Sequence, residues 1–231
     1  MFIVMSLGGS ILAGDLDPIR FKTYADALIK ISEKHKLLLV VGGGIYARKY
    51  IETARGAGAD EVTCDFIGID VTRINAKMLI AALGQKAYPE VPTNYNEAAL
   101  AAESGKIVVM GGVLPGQTTD AVSAALAEYL GANLFLIPTS VDGIYSADPN
   151  VDKTAVKYKT LTGADLVKMS GETSLKAGSK SPIDPVACKM IERSGVRTIV
   201  LDGRDPKTLM KIIAGEEKGP QKECDGTIIT P

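Results

Sequence analysis

The sequence predicts an α/β fold with a largely parallel central sheet covered on both faces, and three observations carry that expectation. Short, continuously apolar runs rich in β-branched residues alternate with longer segments whose apolar residues recur at helical spacing. Strands apolar on consecutive residues belong where helices cover both faces of the sheet. Three of these runs stop abruptly at glycines, Gly8-Gly9, Gly42-Gly43-Gly44 and Gly111-Gly112, as strand-to-helix corners do.

Taken in order, residues 2–7 form the first strand, stopped by Gly8-Gly9-Ser10. Asp17-Pro18 gives an N-cap and a first-turn proline to a helix bearing Phe21, Tyr24, Ala25 and Leu28. Residues 37–41 are the second strand, entering the glycine triplet, and a helix follows to Arg55. Cys64 opens a long helix to Leu83. Its apolar residues spread beyond one stripe, so it is either deeply buried or pressed against a second subunit. A strand at 87–91 and a helix at 96–103 lead to strand 107–110 and the third corner. The next helix opens at Thr119 or Asp120 and closes at Gly131, and 133–137 is a further buried strand. Beyond Pro138, Asp142-Gly143 has the look of a hairpin turn. Residues 154–181, mixing Lys, Gly, Ser and Thr around a short helix at 164–169, read as a lid or clamp. Asp184-Pro185 starts a helix to Ser194-Gly195, followed by strand 198–201, helix 206–214 and strand 227–229. Residues 1–231 are expected to form one domain, with a seam near residue 125 between lobes 1–125 and 126–231.

Composition narrows the function classes. A net charge of −1 leaves no basic excess for gripping a nucleic-acid backbone, and the absence of Trp removes the best base-stacking platform. No apolar run approaches the ~20 residues that cross a bilayer, and no signal-peptide pattern opens the chain. Cys64, Cys188 and Cys224 are scattered and, with the single His35, make no metal-ligand spacing. The expected setting is a reducing cytoplasm.

Glycine corners at adjacent ends of a parallel sheet bring backbone N–H groups and helix dipoles together on one edge, where phosphates bind. Arg48, just inside the helix after Gly44, is positioned to grip a phosphate; the alternative is a solvated helix charge. Gly42, Gly44 and Ala47 also fit the dinucleotide G-x-G-x-x-A spacing. Asp60-Glu61, however, does not end a clear strand, as the ribose contact would require. No G-x-x-x-x-G-K-[ST] loop occurs.

Further features, in order, are Ala47-Arg48, Asp65-Phe66-Ile67-Gly68-Ile69, Pro115-Gly116-Gln117-Thr118-Thr119-Asp120, Thr139-Ser140-Val141-Asp142-Gly143-Ile144-Tyr145, Asp148-Pro149 and Asp184-Pro185. With the three corners they span nearly the whole chain, which resembles the amino-acid kinase family and, within it, the archaeal-type UMP kinases. The resemblance implies a three-layer α/β/α sandwich, UMP on the N-terminal lobe and ATP on the C-terminal lobe. It implies that Gly43, Asp65, Val113, Leu114, Pro115, Gly116, Gln117, Thr118 and Thr119 hold UMP, with Asp65 on the ribose hydroxyls. Gly9, Ser10, Gly44 and Arg48 would lie at the transferred phosphate, and Thr139, Tyr145 and Asp148 at the adenosine end of ATP. The structural alternatives are a helix cap for Asp65, core for Tyr145 and a plain turn for Asp148-Pro149.

Phosphoryl transfer needs positioning and charge neutralisation more than covalent chemistry. The expected catalytic pair is therefore Asp120, orienting cations or Mg²⁺-bound water, and Arg48. Mg²⁺ would be held mainly by the ATP phosphates, with no metal site of the protein's own. One departure stands out: most of the family has a Lys two residues before the first glycine pair, where this chain has Ser6. Another cation must take that charge, Arg48 first and Lys176, Lys180 or Lys189 after it. The resemblance also implies a homohexamer built as a trimer of dimers, with the helix over 66–83 as the dimer contact. The competing readings are a non-catalytic nucleotide-binding or storage protein of the same fold, and a family kinase with another small phosphate or carboxylate acceptor. Isopentenyl phosphate kinases resemble a pattern with a His near the glycine-rich turn, which this chain lacks.

Overall fold

The computed structural model describes residues 1–172 and 183–231. Its strands are β1 (Phe2–Leu7), β2 (Lys36–Val41), β3 (Val108–Met110), β4 (Leu134–Thr139), β5 (Thr160–Thr162), β6 (Thr198–Asp202) and β7 (Gly226–Thr230). Its helices are α1 (Gly9–Leu12), α2 (Pro18–Ser32), α3 (Gly44–Gly56), α4 (Glu61–Leu83), α5 (Tyr95–Ala102), α6 (Thr119–Tyr129), α7 (Gly163–Glu172), α8 (Pro185–Ser194) and α9 (Pro206–Glu216). One sheet runs in the order β3-β2-β1-β4-β6-β7-β5, with every pairing parallel except β6 with β7.

The period of two along each strand splits the core into two layers. Ile3, Met5, Leu7, Leu37, Leu39 and Val41 face α2, α4 and α9 through residues such as Leu28, Leu79 and Leu209. Val4, Leu38, Val40 and Phe135 face α5 to α8 through Ala98, Leu126, Leu166 and Ile191. The expected three-layer α/β/α sandwich is thus the observed one. Three helices start at Asp-Pro pairs, and the Asp17, Asp184 and Asp205 side chains each accept a hydrogen bond from a first-turn N–H.

Elsewhere the structure departs from expectation. Residues 87–91 form no strand: only Ala87 bridges, to Ile107, and Pro89 follows, which has no N–H to give a ladder. Asp142-Gly143 is not a tight hairpin, since the antiparallel partner of Tyr145 is Lys157. Within 154–181, the short helix is longer than expected and follows β5, and both are built into the fold. Residues 173–182 of that stretch lie outside the described residues. Helix α4 starts earlier than Cys64, because the Asp60 carboxylate accepts from Thr63 N–H at 2.9 Å. One turn of helix, α1, occupies what read as loop after Gly9.

Strand β7 braces the loop after β4. Thr227 Oγ1 accepts from Ile144 N–H at 2.8 Å and donates to the Tyr158 carbonyl at 2.6 Å. The first two corners meet backbone to backbone: a Cβ at Gly9 would lie 2.2 Å from Gly44 N and 2.4 Å from the Gly42 carbonyl oxygen. Gly9→Ala is therefore expected to cost about 1–3 kcal/mol, since well-packed backbone cannot yield as a side chain would. Gly56→Ala, with nothing within 4 Å of its added methyl, is expected to be neutral or slightly stabilising. Urea midpoints of the two variants check this.

Candidate active site

Strands β3, β2, β1 and β4 are neighbours and parallel, so their carboxyl ends, Met110, Val41, Leu7 and Thr139, share one edge of the sheet. The Gly42 N–H donates to the Leu7 carbonyl at 3.0 Å, joining the first two corners. Gly44 takes a φ of +66°, which a side chain would resist. Helix α4 supplies two ties that sequence reasoning missed. Thr72 Oγ1 accepts from Gly112 N–H at 2.7 Å and donates to the Ile69 carbonyl at 2.6 Å. Asn75 Nδ2 donates to the carbonyls of Gly42 and Gly43, at 2.9 and 3.3 Å. Both residues are buried, and the available signal was two polar residues three apart within a largely apolar helix.

Beside the corners opens a cavity of about 780 Å³ whose wall includes Ser10, Arg48, Asp120, Thr139, Tyr145 and Asp148. Six residues expected at the ATP side or in catalysis thus share one wall, with Gly9 and Gly44 forming the adjoining corner. Arg48 is exposed and makes no ion pair among the described residues. Lys189 is exposed on α8 and is not part of this wall, while Lys176 and Lys180 lie outside the described residues.

Ser6 is buried, and its Oγ donates to Asp120 Oδ1 at 2.5 Å. Burial raises the Asp120 carboxyl above the usual range, the Ser6 hydrogen bond opposes that rise, and nearby Asp184 adds to it. The Tyr145 hydroxyl donates to Asp142 Oδ1 at 2.6 Å, and Lys157 Nζ reaches Asp142 Oδ2 at 3.0 Å. Tyr145 is half-buried, whereas its neighbour Ile144 is the core residue. Thr139 Oγ1 closes a local turn with Val141, and Asp148 caps another by accepting from Asn150 N–H at 2.9 Å.

The residues expected at UMP form a second cluster outside that cavity wall. Asp65 Oδ2 accepts from Gly116 N–H at 2.8 Å, so α4 holds the 113–117 segment by a charge-assisted bond. Since Asp60 caps α4, Asp65 is not the helix cap. Val113 packs on the core layer under α6, Leu114 is exposed, and Pro115 leads into Gly116. Gln117 Oε1 accepts from the Tyr95 hydroxyl at 3.3 Å. Thr118 caps α6, accepting from Ala121 N–H at 3.2 Å. Thr119 Oγ1 lies 3.4 Å from where a Gly42 Cβ would stand. Gly43 packs against Ala47 and Thr72. Cavity and second cluster meet at the corners and at Asp120, which follows Thr119 directly.

An arginine, a half-buried carboxylate and converging glycine corners on one sheet edge define an α/β protein built to handle phosphate groups. The chain belongs to the amino acid kinase family, whose model matches residues 1–202. It is 58% identical over 230 residues to a uridylate kinase of Methanosarcina mazei, covering 100% of this chain and 99% of that protein. A uridylate kinase of Halobacterium salinarum is 50% identical over 229 residues, covering 98% of this chain and 95% of that one. The crystal structure of a uridylate kinase from Archaeoglobus fulgidus superposes with a TM-score of 0.88 at 41% identity, over 100% of both chains.

Thr72→Val keeps the shape but strands the buried Gly112 N–H, with an expected loss of about 1–3 kcal/mol. A urea titration reads it, and an unchanged midpoint would refute the tie.

Proposed function

We propose that the protein transfers the γ-phosphoryl group of ATP to UMP, giving UDP and ADP in pyrimidine nucleotide biosynthesis. The observation that carries this reading is the cavity wall that brings Arg48 and Asp120 together beside the glycine corners, with the second cluster beginning at Thr119, next to Asp120. Full-length likeness to uridylate kinases supports the choice of acceptor.

In this reading the adenosine end of ATP lies along Thr139, Tyr145 and Asp148 on the lobe 126–231. Its γ-phosphate reaches Gly9, Ser10, Gly44 and Arg48. UMP occupies the lobe 1–125, against Gly43, Asp65 and the 113–119 segment. Asp65 Oδ2 is taken by Gly116 N–H, which leaves Oδ1 for the ribose hydroxyls. The attacking oxygen belongs to an anionic phosphate, so no strong base is required. The work is neutralisation: backbone N–H groups of the corners, the N-termini of α3 and α6, and the Arg48 guanidinium draw off developing charge. Asp120 orients cations instead of accepting a proton. Mg²⁺, carried chiefly by the ATP phosphates, would offset their charge, and Asp120 on the cavity wall would orient water bound to it.

The same reading makes the protein a cytoplasmic homohexamer, a trimer of dimers. Val62, Phe66 and Ile74 of α4 are each more than half exposed, a face suited to a second copy. The second reading, a nucleotide-binding or storage protein without turnover, draws on the neutral Ser6 beside Asp120.

An ADP-release assay over UMP, CMP, dTMP, acetylglutamate, carbamate and isopentenyl phosphate is expected to show strong preference for UMP. Preference for another acceptor would overturn the substrate, and tight binding of both nucleotides without turnover would favour the second reading. Arg48→Ala is expected to lower kcat by about 100-fold or more, with calorimetric affinities for ATP and UMP retained within a few-fold. Light scattering at micromolar concentration tests the hexamer, and a monomer would end it.

A further inference from the structure

The cavity holds a contact that phosphate binding leaves unused. Ser6 lies in β1, paired in register with Val40 of β2, and is 1% exposed. Its hydroxyl is therefore fixed by the sheet and cannot drift. It donates to Asp120 Oδ1, on a residue 114 positions away at the start of α6. Asp120 Oδ2 receives no hydrogen bond from any described residue, and Asp120 lines the cavity.

We infer that Ser6 is a positioning residue, whose hydroxyl holds the Asp120 carboxylate in one orientation, with Oδ2 turned to the cations around the transferring phosphoryl group. This rests on the reading above, in which Asp120 lies beside that group. A hydroxyl suits the task because it donates one directed bond and adds no charge that would compete for the phosphate.

Among the described residues, the elements packed most closely on α6 are α8, β1, β2 and β4. From α8, Asp184 at its cap adds negative charge beside Asp120. The Cys188 thiol is pushed up to about 12 by burial and so stays uncharged near neutrality. Lys189, Glu192 and Arg193 of α8 are exposed. β1 contributes the Ser6 hydroxyl, β4 has no ionisable side chain, and the single one of β2, Lys36, is at its opposite end. Arg48 stands on the shared wall. Burial and Asp184 favour the protonated carboxyl, and the Ser6 donation opposes them. Without that hydrogen bond, Asp120 holds its proton to higher pH.

The test compares Ser6→Ala, Ser6→Thr and Ser6→Val with the parent enzyme in steady-state kinetics across pH. Ser6→Ala is expected to lower kcat roughly tenfold, to leave KM for ATP and UMP within about twofold, and to move the acidic limb of kcat to higher pH. Ser6→Thr, which keeps the hydroxyl, should recover most of the rate, while Ser6→Val, matched to it in shape, should not. If Ser6→Ala folds poorly, the Thr and Val pair decides alone: equal kcat and equal acidic limbs would overturn the inference. So would a Ser6→Ala enzyme with the parental rate and limb. Asp120→Asn separates the two levels. Full turnover in that variant would overturn the placement of Asp120 at the phosphate, whereas an impaired Asp120→Asn beside an unaffected Ser6→Ala would overturn only the role of Ser6.

Discussion

The close approach of two strand ends governs the rest of this molecule. Where β1 and β2 finish, the chain at Gly9 touches the chain at Gly42 and Gly44 with no side chain between them. That contact places the starts of α1 and α3 side by side at the edge of the sheet. It also fixes the start of α3, and with it the residue one turn inside, Arg48. The third corner is held from outside the sheet, by hydroxyl and amide side chains of α4. The edge beside the cavity is thus assembled from backbone first, and its side chains are additions to that frame.

What could be read from the sequence was what is decided locally. Glycine at a corner and aspartate before a first-turn proline act through sterics and bonds a few residues long, so they announce themselves wherever they occur. The ordered set from Ala47-Arg48 to Asp184-Pro185 then identified the family, because several weak local signals in one order are jointly specific.

Long-range choices were hidden. Nothing within Thr72 or Asn75 says that each reaches a corner across the fold. Ser6 stands out in the sequence for the charge it lacks, yet its partner is 114 positions away, at the start of α6. The three-residue β5 and the reversed direction of β7 arise from sheet pairing, not from propensity. At 87–91 the error was to weigh apolar character above the missing N–H of Pro89.

The late strand β7 has a consequence for how the molecule is made. It sits between β6 and β5 and, through Thr227, backs the loop carrying Ile144 and Tyr145. A nascent chain emerging from the ribosome can zip β1 to β4 with residues already translated. The cavity wall at Ile144 and Tyr145 must wait for an element translated some eighty residues after the loop it supports, a separation of 83 residues for that bond. Synthesis therefore delivers a half-built cavity first, and strand β7 acts as the latch that completes it.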